Sequence, residues 1–373
     1  MTPPSPARAL ALVLAAAGAA LLWVNQVEPD ESLWLGALVV LVAVAALVSR
    51  ETPGRNRWLE AVAVLLLVLA GGECTVRREN AIAARAYADR LMRFVDDPVL
   101  RYEMKPDTSC GEGTSNALGM LDVPRELVNQ AGALRVACLG DSVGGDCSLP
   151  RDNACAALER VLREARGGRP TEVLNFSVPG YNTLQEARAL ELKAAAFSPD
   201  VVVVLYVVND PYPDLAISHH LPGKLKFQHL IYSGLRVAAW RIFGPAIDPL
   251  GGQLTRFYAS TRAWDGVVVA GFDRIQAFAA ARGLPVVVAV FPLFLEHPLP
   301  EHLAIYPKVV GEAQRHGFIG IDLAQEVFDK EPLAAFLKVP SRDIIHPNAH
   351  AHAVAAEVIA RELLAAHPAL VTR

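Results

Sequence analysis

The sequence is short of charge. Asp, Glu, Lys and Arg make up only 20% of its 373 residues, against about a quarter in average soluble domains. It has no basic surplus either, since 35 Lys and Arg stand against 39 Asp and Glu, for a net charge of −4. A whole-chain nucleic-acid footprint needs that surplus and is excluded, so no nucleic-acid partner is expected. Aromatic residues are few, at 7%. No internal repeat, no CxxC pair and no Cys–His cluster suggesting a zinc site is present. What the chain has in quantity is apolar residue, 53% of the total. That excludes disorder over most of its length. At about 150 residues per domain, the length fits two units or one large one.

The apolar excess lies at the front. Residues Ala9 to Val24 and Leu33 to Val48 carry no charge, and Trp58 to Gly72 carries only Glu60. A spanning helix needs about 20 apolar residues, with about 17 as the lower bound. The runs are slightly short and rich in Ala, yet three of them so close together are hard to bury in a soluble domain. Residues 1–72 are therefore expected to be a membrane anchor of about three transmembrane helices. A cleaved signal peptide competes for the first run, but the second follows too closely for that. The loop Asn25 to Ser32 has no Lys or Arg, whereas Arg50 to Arg57 holds Arg50, Arg55 and Arg57. The positive loop belongs in the cytoplasm. After a third span, everything from Glu73 onward lies on the extracytoplasmic, periplasmic side. Arg77 and Arg78 directly follow that third run. If it does not span, the large domain is cytoplasmic.

The five cysteines are Cys74, Cys110, Cys138, Cys147 and Cys155, so at least one thiol is left over. Cys138 reads as a small apolar residue of a buried strand. A disulfide among Cys110, Cys147 and Cys155 is open to an exported domain, with the pairing not fixed by sequence. Glu73 before Cys74 spoils a lipoprotein signal.

Residues 73–130 read as a connecting helix, Asn80 to Phe94, followed by an irregular lead-in. From 131 onward, strands and helices alternate. Strands are expected at Leu134–Leu139, Glu172–Phe176, Val201–Val208, Pro285–Phe291 and Phe318–Asp322. Helices are expected at Asn153–Ala165, Thr183–Ala196, Gly266–Arg282, His302–His316 and Asn348–Ala365. The unbroken β-branched run at 201–208 fits a strand buried on both faces. Such alternation means a parallel sheet between two helical layers. One long insertion, about 211–261, follows the third strand, where open α/β sheets bind ligands. Ile231 to Phe243 reads as a helix within it. His219, His220, Trp240, Phe257 and Tyr258 of this insertion are read as loop or core residues before cleft or lid residues.

Chemistry-bearing residues fall at the strand ends. Gly140-Asp141-Ser142 ends the first strand, and a Ser on a tight strand-to-helix turn exposes its hydroxyl beside a backbone N–H. Asp343-Ile344-Ile345-His346 precedes the last helix and offers a base with a carboxylate to hold its tautomer. Gly180 and Asn209 follow the second and third strands and can donate to a developing oxyanion. Asp141 is expected to bond nearby backbone, Asp210 to hold the turn of Asn209, and His350 and His352 to cap or pack.

These blocks, in this order over about Leu134 to Leu364, resemble the SGNH (GDSL-type) hydrolase superfamily. The lead-in Asp97 to Gly119 also resembles membrane-attached bacterial members. The resemblance implies a flavodoxin-like three-layer α/β sandwich with a five-stranded parallel sheet, occupying 131–373. It implies Ser142 as nucleophile, His346 as general base and Asp343 as its orienter. The Ser142 and Gly180 N–H groups and the Asn209 amide would form the oxyanion hole, with no metal or organic cofactor. Two positions depart from the family pattern. Asp146 stands where many members have Gly, with Gly144 and Gly145 earlier, and Ser177 replaces the Gly often found before Val-Pro-Gly. The expected protein is a membrane-anchored serine esterase acting on O-acyl or O-acetyl groups of an envelope glycan or lipid. A glycan O-acyltransferase with the same triad, a lysophospholipase or thioesterase, and a non-catalytic binding module are the alternatives.

Overall fold

Runs of branched aliphatic residues build a central sheet with every strand parallel. The computed structural model describes residues 89–129, 131–212, 253–295, 298–328, 335–338 and 344–373. The three apolar runs, Cys74, most of the insertion with His219, His220 and Trp240, and Asp343 lie outside the described residues. Among the described residues, no helix is long and apolar enough to cross a membrane.

The sheet strands are β1 Leu134–Gly140, β2 Thr171–Asn175, β3 Val201–Tyr206, β4 Val286–Val290 and β5 Ile319–Asp322. Their order is β2-β1-β3-β4-β5. Every residue of β1, β3 and β4 is buried, because helices cover both faces of the sheet. That double burial is why these strands show no alternation in sequence. The main helices are α1 Ala154–Ala165, α2 Thr183–Leu192, α3 Ala270–Ala280, α4 Ile305–Arg315 and α5 Ala349–Ala366. Helices α1 and α5 pack together, and α2 packs on α3. The α/β sandwich with a five-stranded parallel sheet is therefore as expected. The chain leaves β1 for β2 on one side and returns to β3 on the other. The crevice opened at their carboxyl ends is the usual ligand site of open α/β sheets.

Three local expectations change. The helix expected over Asn80–Phe94 ends at Leu91, and Met92–Phe94 is instead a strand paired antiparallel with Tyr102–Met104. Cross-strand pairing overrides helix propensity there, with Arg93 opposite Glu103 and ion-paired to it. The third strand stops at Tyr206, and Val207 and Val208 stay buried in the turn that follows. The helix expected from Gly266 is preceded by a helical stretch from Gln253 that widens at Trp264–Val269.

Cys138 is not a lone apolar residue. It is bonded to Cys155 across β1 and α1, with Cα atoms 6.2 Å apart. Cys110 is bonded to Cys147 at a Cα separation of 5.1 Å. The second bond fastens the lead-in to the loop after Ser142.

The lead-in is ordered by what it grips. Asp97 accepts from the N–H groups of Val99 and Leu100 and takes the Arg188 guanidinium of α2 at 2.8 Å. The Tyr181 hydroxyl donates to the Tyr102 carbonyl at 2.6 Å, and Gln185 donates to the Leu100 carbonyl. The Arg188 bond, followed by the Leu100 N–H, pulls the Asp97 carboxyl down to about 2. A depressed carboxyl stabilises the fold above its unfolded-state pKa, and that contribution is lost as pH falls through the folded value. Asp97→Asn should therefore lower stability at neutral pH and remove part of the acid-side decline. Thermal unfolding from neutral to strongly acid pH checks this. An unchanged acid decline would assign it to other carboxyls.

Candidate active site

The turn leaving β1 carries Asp141 and Ser142. Asp141 is wholly buried, and three groups converge on its carboxylate. The Val143 N–H donates to Oδ1 at 2.9 Å, the Asn209 amide donates to Oδ2 at 2.8 Å, and the Ser142 hydroxyl lies 3.3 Å from Oδ2. Burial raises the Asp141 carboxyl above its ordinary value, against the pull of the Val143 and Asn209 hydrogen bonds. The sequence reading gave Asp141 only local backbone to bond. Its grip on Asn209 comes from β1 and β3 being neighbours.

Ser142 itself is half-buried. Its Oγ lies 2.9 Å from His346 Nε2. With the ring proton on Nδ1, Nε2 can accept the hydroxyl proton, the geometry a general base needs. The His346 loop is held by its flanks. The Lys338 N–H donates to the His346 carbonyl at 3.1 Å, and Asn348 caps α5 by accepting from Ala351 while its own N–H meets the Phe336 carbonyl. Asp343, the expected orienter, lies outside the described residues.

Gly180 sits on the loop after β2 with φ of 81°, a conformation that favours glycine. The Val178 N–H donates to the Gly140 carbonyl at 3.1 Å, which seats this loop against the end of β1. Neither the Ser142 nor the Gly180 N–H is taken up by a hydrogen bond among the described residues. Asn209 follows β3 in a turn closed by Asp210 N–H to the Val207 carbonyl and Tyr212 N–H to the Asn209 carbonyl. Ser142 and Asn209 thus meet through Asp141 at the carboxyl end of the sheet, and His346 joins them through Ser142. His350 stacks on Phe336, and His352 is buried, with burial lowering its pKa. Tyr258 is core, and Phe257 packs on Tyr212 with ring centroids 4.2 Å apart. Among the described residues, no group of three or more His, Cys, Asp or Glu could hold a metal ion.

Sequence reasoning missed what makes room for Ser177, one of the two departures from the family pattern. A Cβ built on Gly144 would come within 2.1 Å of the Ser177 hydroxyl oxygen and 2.8 Å of its Cβ. The Ser177 hydroxyl is buried without a hydrogen bond. Gly144 makes the room that Ser177 fills. Gly144→Ala should destabilise by about 1–3 kcal/mol through overpacking. Adding Ser177→Gly should restore most of that loss. The midpoints of the two variants in denaturant check the pairing, and no recovery in the double variant would place the strain elsewhere.

The sequence profile of the GDSL-like lipase/acylhydrolase family matches residues 138–354, more than half of the chain. No curated protein shows significant similarity. Among solved structures, LAE5, an alpha/beta hydrolase enzyme from the metagenome of Lake Arreo, Spain, is 17% identical. It covers 64% of this chain and 97% of that one, with a TM-score of 0.40. A lipase/acylhydrolase from Enterococcus faecalis is 14% identical over 62% of this chain and 96% of its own, with a TM-score of 0.39. Axe2, an acetylxylan esterase from Geobacillus stearothermophilus, is 13% identical over 65% of this chain and 97% of its own, with a TM-score of 0.37.

Proposed function

The chain belongs to the GDSL-like lipase/acylhydrolase family and is an ester-hydrolysing enzyme; we propose that it works as a membrane-anchored serine esterase through an acyl-enzyme. The observation that carries the reading is the 2.9 Å approach of Ser142 Oγ to His346 Nε2 at the switch point of the sheet. In this reading His346 takes the hydroxyl proton as Oγ attacks the ester carbonyl. Negative charge collects on the carbonyl oxygen, where the Ser142 and Gly180 N–H groups and the second amide proton of Asn209 receive it. His346 then returns the proton to the departing alkoxide, leaving an acyl group on Ser142. Water, deprotonated by the same imidazole, releases the acid. Asp343 holds the imidazole in the tautomer this cycle needs.

The substrate we assign is an O-acyl or O-acetyl ester on an envelope glycan or lipid, because the catalytic residues 131–373 are placed outside the membrane. Two lines support that placement. The positive charges fall in the loop between the second and third apolar runs. The Cys110–Cys147 and Cys138–Cys155 bonds suit an oxidising compartment.

Two measurements test the reading. Purified full-length protein should hydrolyse a short-chain nitrophenyl ester, and Ser142→Ala should lower kcat by on the order of 10⁴ or more. Asn209→Ala should lower kcat by about 10²–10³ with little change in KM. Turnover that survives Ser142→Ala would mean the nucleophile is elsewhere. For the compartment, a non-reduced digest of protein taken from its native membrane should contain both cysteine-linked peptide pairs. Free thiols at all four positions would place the domain in the cytoplasm.

A further inference from the structure

One buried side chain beside the site belongs to neither the triad nor the oxyanion donors. Asn175 is the last residue of β2, opposite Cys138 at the end of the β1–β2 ladder, and it is wholly out of water. Both polar atoms of its side chain are used. Nδ2 donates to the Gly144 carbonyl at 2.9 Å and to the Leu121 carbonyl at 3.1 Å. Oδ1 accepts from the Ser177 N–H at 3.0 Å. The amide has one workable orientation. Turned over, it would set its oxygen against two carbonyls and its nitrogen against an N–H. The Asn175 backbone N–H is held as well, by Asp122 Oδ2 at 3.1 Å.

These contacts reach three separate segments. Gly144 lies in the turn after β1, two residues beyond Ser142. Ser177 lies in the loop after β2, three residues before Gly180. Leu121 belongs to the lead-in. Both loops are short and internally bonded. In the first, the Gly145 N–H donates to the Asp141 carbonyl at 2.9 Å and the Val143 N–H to the Asp141 carboxylate. In the second, the Tyr181 N–H donates to the Val178 carbonyl at 3.0 Å. A shift at Gly144 or Ser177 therefore carries through to the N–H of Ser142 or Gly180. The loops also touch. A Cβ built on Gly145 would lie 3.1 Å from the Ser177 carbonyl oxygen and 3.2 Å from Pro179 Cδ.

We propose that Asn175 is a positioning residue of the oxyanion hole, which holds the Ser142 and Gly180 N–H groups on one point. The proposal rests on the oxyanion role given to those two groups. Asn175 touches no reacting atom. Its residue type fits the task, because a side-chain amide offers two donors and an acceptor in one plane. An ionised Asp has no donor, and Leu of similar size has neither. The effect is electrostatic. Donors fixed beforehand stabilise the developing charge without reorganising, and donors out of place do not. A loosened pair still binds the ester and receives its charge poorly, so the loss belongs in kcat.

The test uses full-length wild type and three variants. Asn175→Asp keeps the acceptor for Ser177 but turns an oxygen toward the Gly144 and Leu121 carbonyls. Asn175→Ser is milder, since the smaller side chain leaves room for water to meet them. Asn153→Ala is the control, because Asn153 donates to the same Leu121 carbonyl at 3.0 Å and otherwise caps α1. In nitrophenyl ester turnover, each Asn175 variant should lose about 10²-fold in kcat, as when an oxyanion donor is misplaced, with KM within about twofold. Asn153→Ala should lower the unfolding midpoint and keep kcat within about twofold of wild type. In amide hydrogen exchange, Asn175→Ser should speed exchange in peptides spanning 141–147 and 176–182 while β3 and β4 stay protected.

Asn175 variants with wild-type kcat overturn the proposal. So does a fall in kcat that Asn153→Ala shares, which marks general loosening. A raised KM at unchanged kcat overturns it in favour of substrate binding. An Asn175→Ser protein that does not fold at neutral pH overturns it too, since the amide is then a requirement of the fold. If wild type turns over no ester, the esterase reading fails and the oxyanion role with it. The exchange comparison then decides by itself whether Asn175 ties the two loops.

Discussion

One buried carboxylate holds the pieces of the site in register. Asp141 lies just after β1, wholly out of water, and accepts from the turn that carries Ser142 and from the Asn209 amide after β3. A buried acceptor of this kind is costly to leave unpaired, so it fixes its donors more firmly than an exposed one would. Its two oxygens divide the work. One closes the turn through Val143, which sets the direction of the Ser142 hydroxyl. The other captures one proton of the Asn209 amide, which sets the direction of the second. The parallel register that places Gly140 beside Leu205 is what brings these two strand ends within reach.

Around that point each loop is held from outside the sandwich. The Gly180 loop is gripped by the lead-in, where Tyr102 and Tyr181 exchange contacts and the Tyr102 hydroxyl reaches the Pro179 carbonyl at 3.3 Å. The loop after Ser142 is fastened by the Cys110–Cys147 bond, and the Cys147 carbonyl takes the N–H groups of Glu112 and Gly113. Lys338 then ties that loop to His346, since its ammonium meets Asp146 while its N–H meets the His346 carbonyl. The lead-in is accordingly part of the site's scaffold.

The elements legible in the sequence are those whose signal is local. A strand covered on both faces is almost wholly apolar, so the runs ending at Gly140, Tyr206 and Val290 announce themselves, Arg135 of β1 being a charge held by Glu172. The motif blocks are legible for a similar reason, because each is a short turn requiring particular residues. What could not be read depends on residues distant in sequence. Met92–Phe94 is a strand only because Tyr102–Met104 lies against it. Cys138 is bridged only because α1 carries Cys155 over β1. Glu186 looks like an ordinary first-turn acid favoured by the helix dipole, and only the packing of α2 against the sheet takes it out of water. The pairing of Gly144 with Ser177 is of the same kind. Ser177 looks like an isolated departure along the chain, and in space it fills the room that Gly144 leaves.

The three carboxylates Asp141, Glu186 and Asp210 are buried behind the carboxyl end of the sheet, an unfavourable place for charge. A full negative charge there raises the cost of any further one nearby. The arrangement is workable because the charges differ in kind. Asp141 is compensated by N–H donors that point at it. Burial instead pushes the Glu186 and Asp210 carboxyls well above their ordinary range. A carboxyl that takes up its proton is neutral and adds nothing to the field at that end of the sheet.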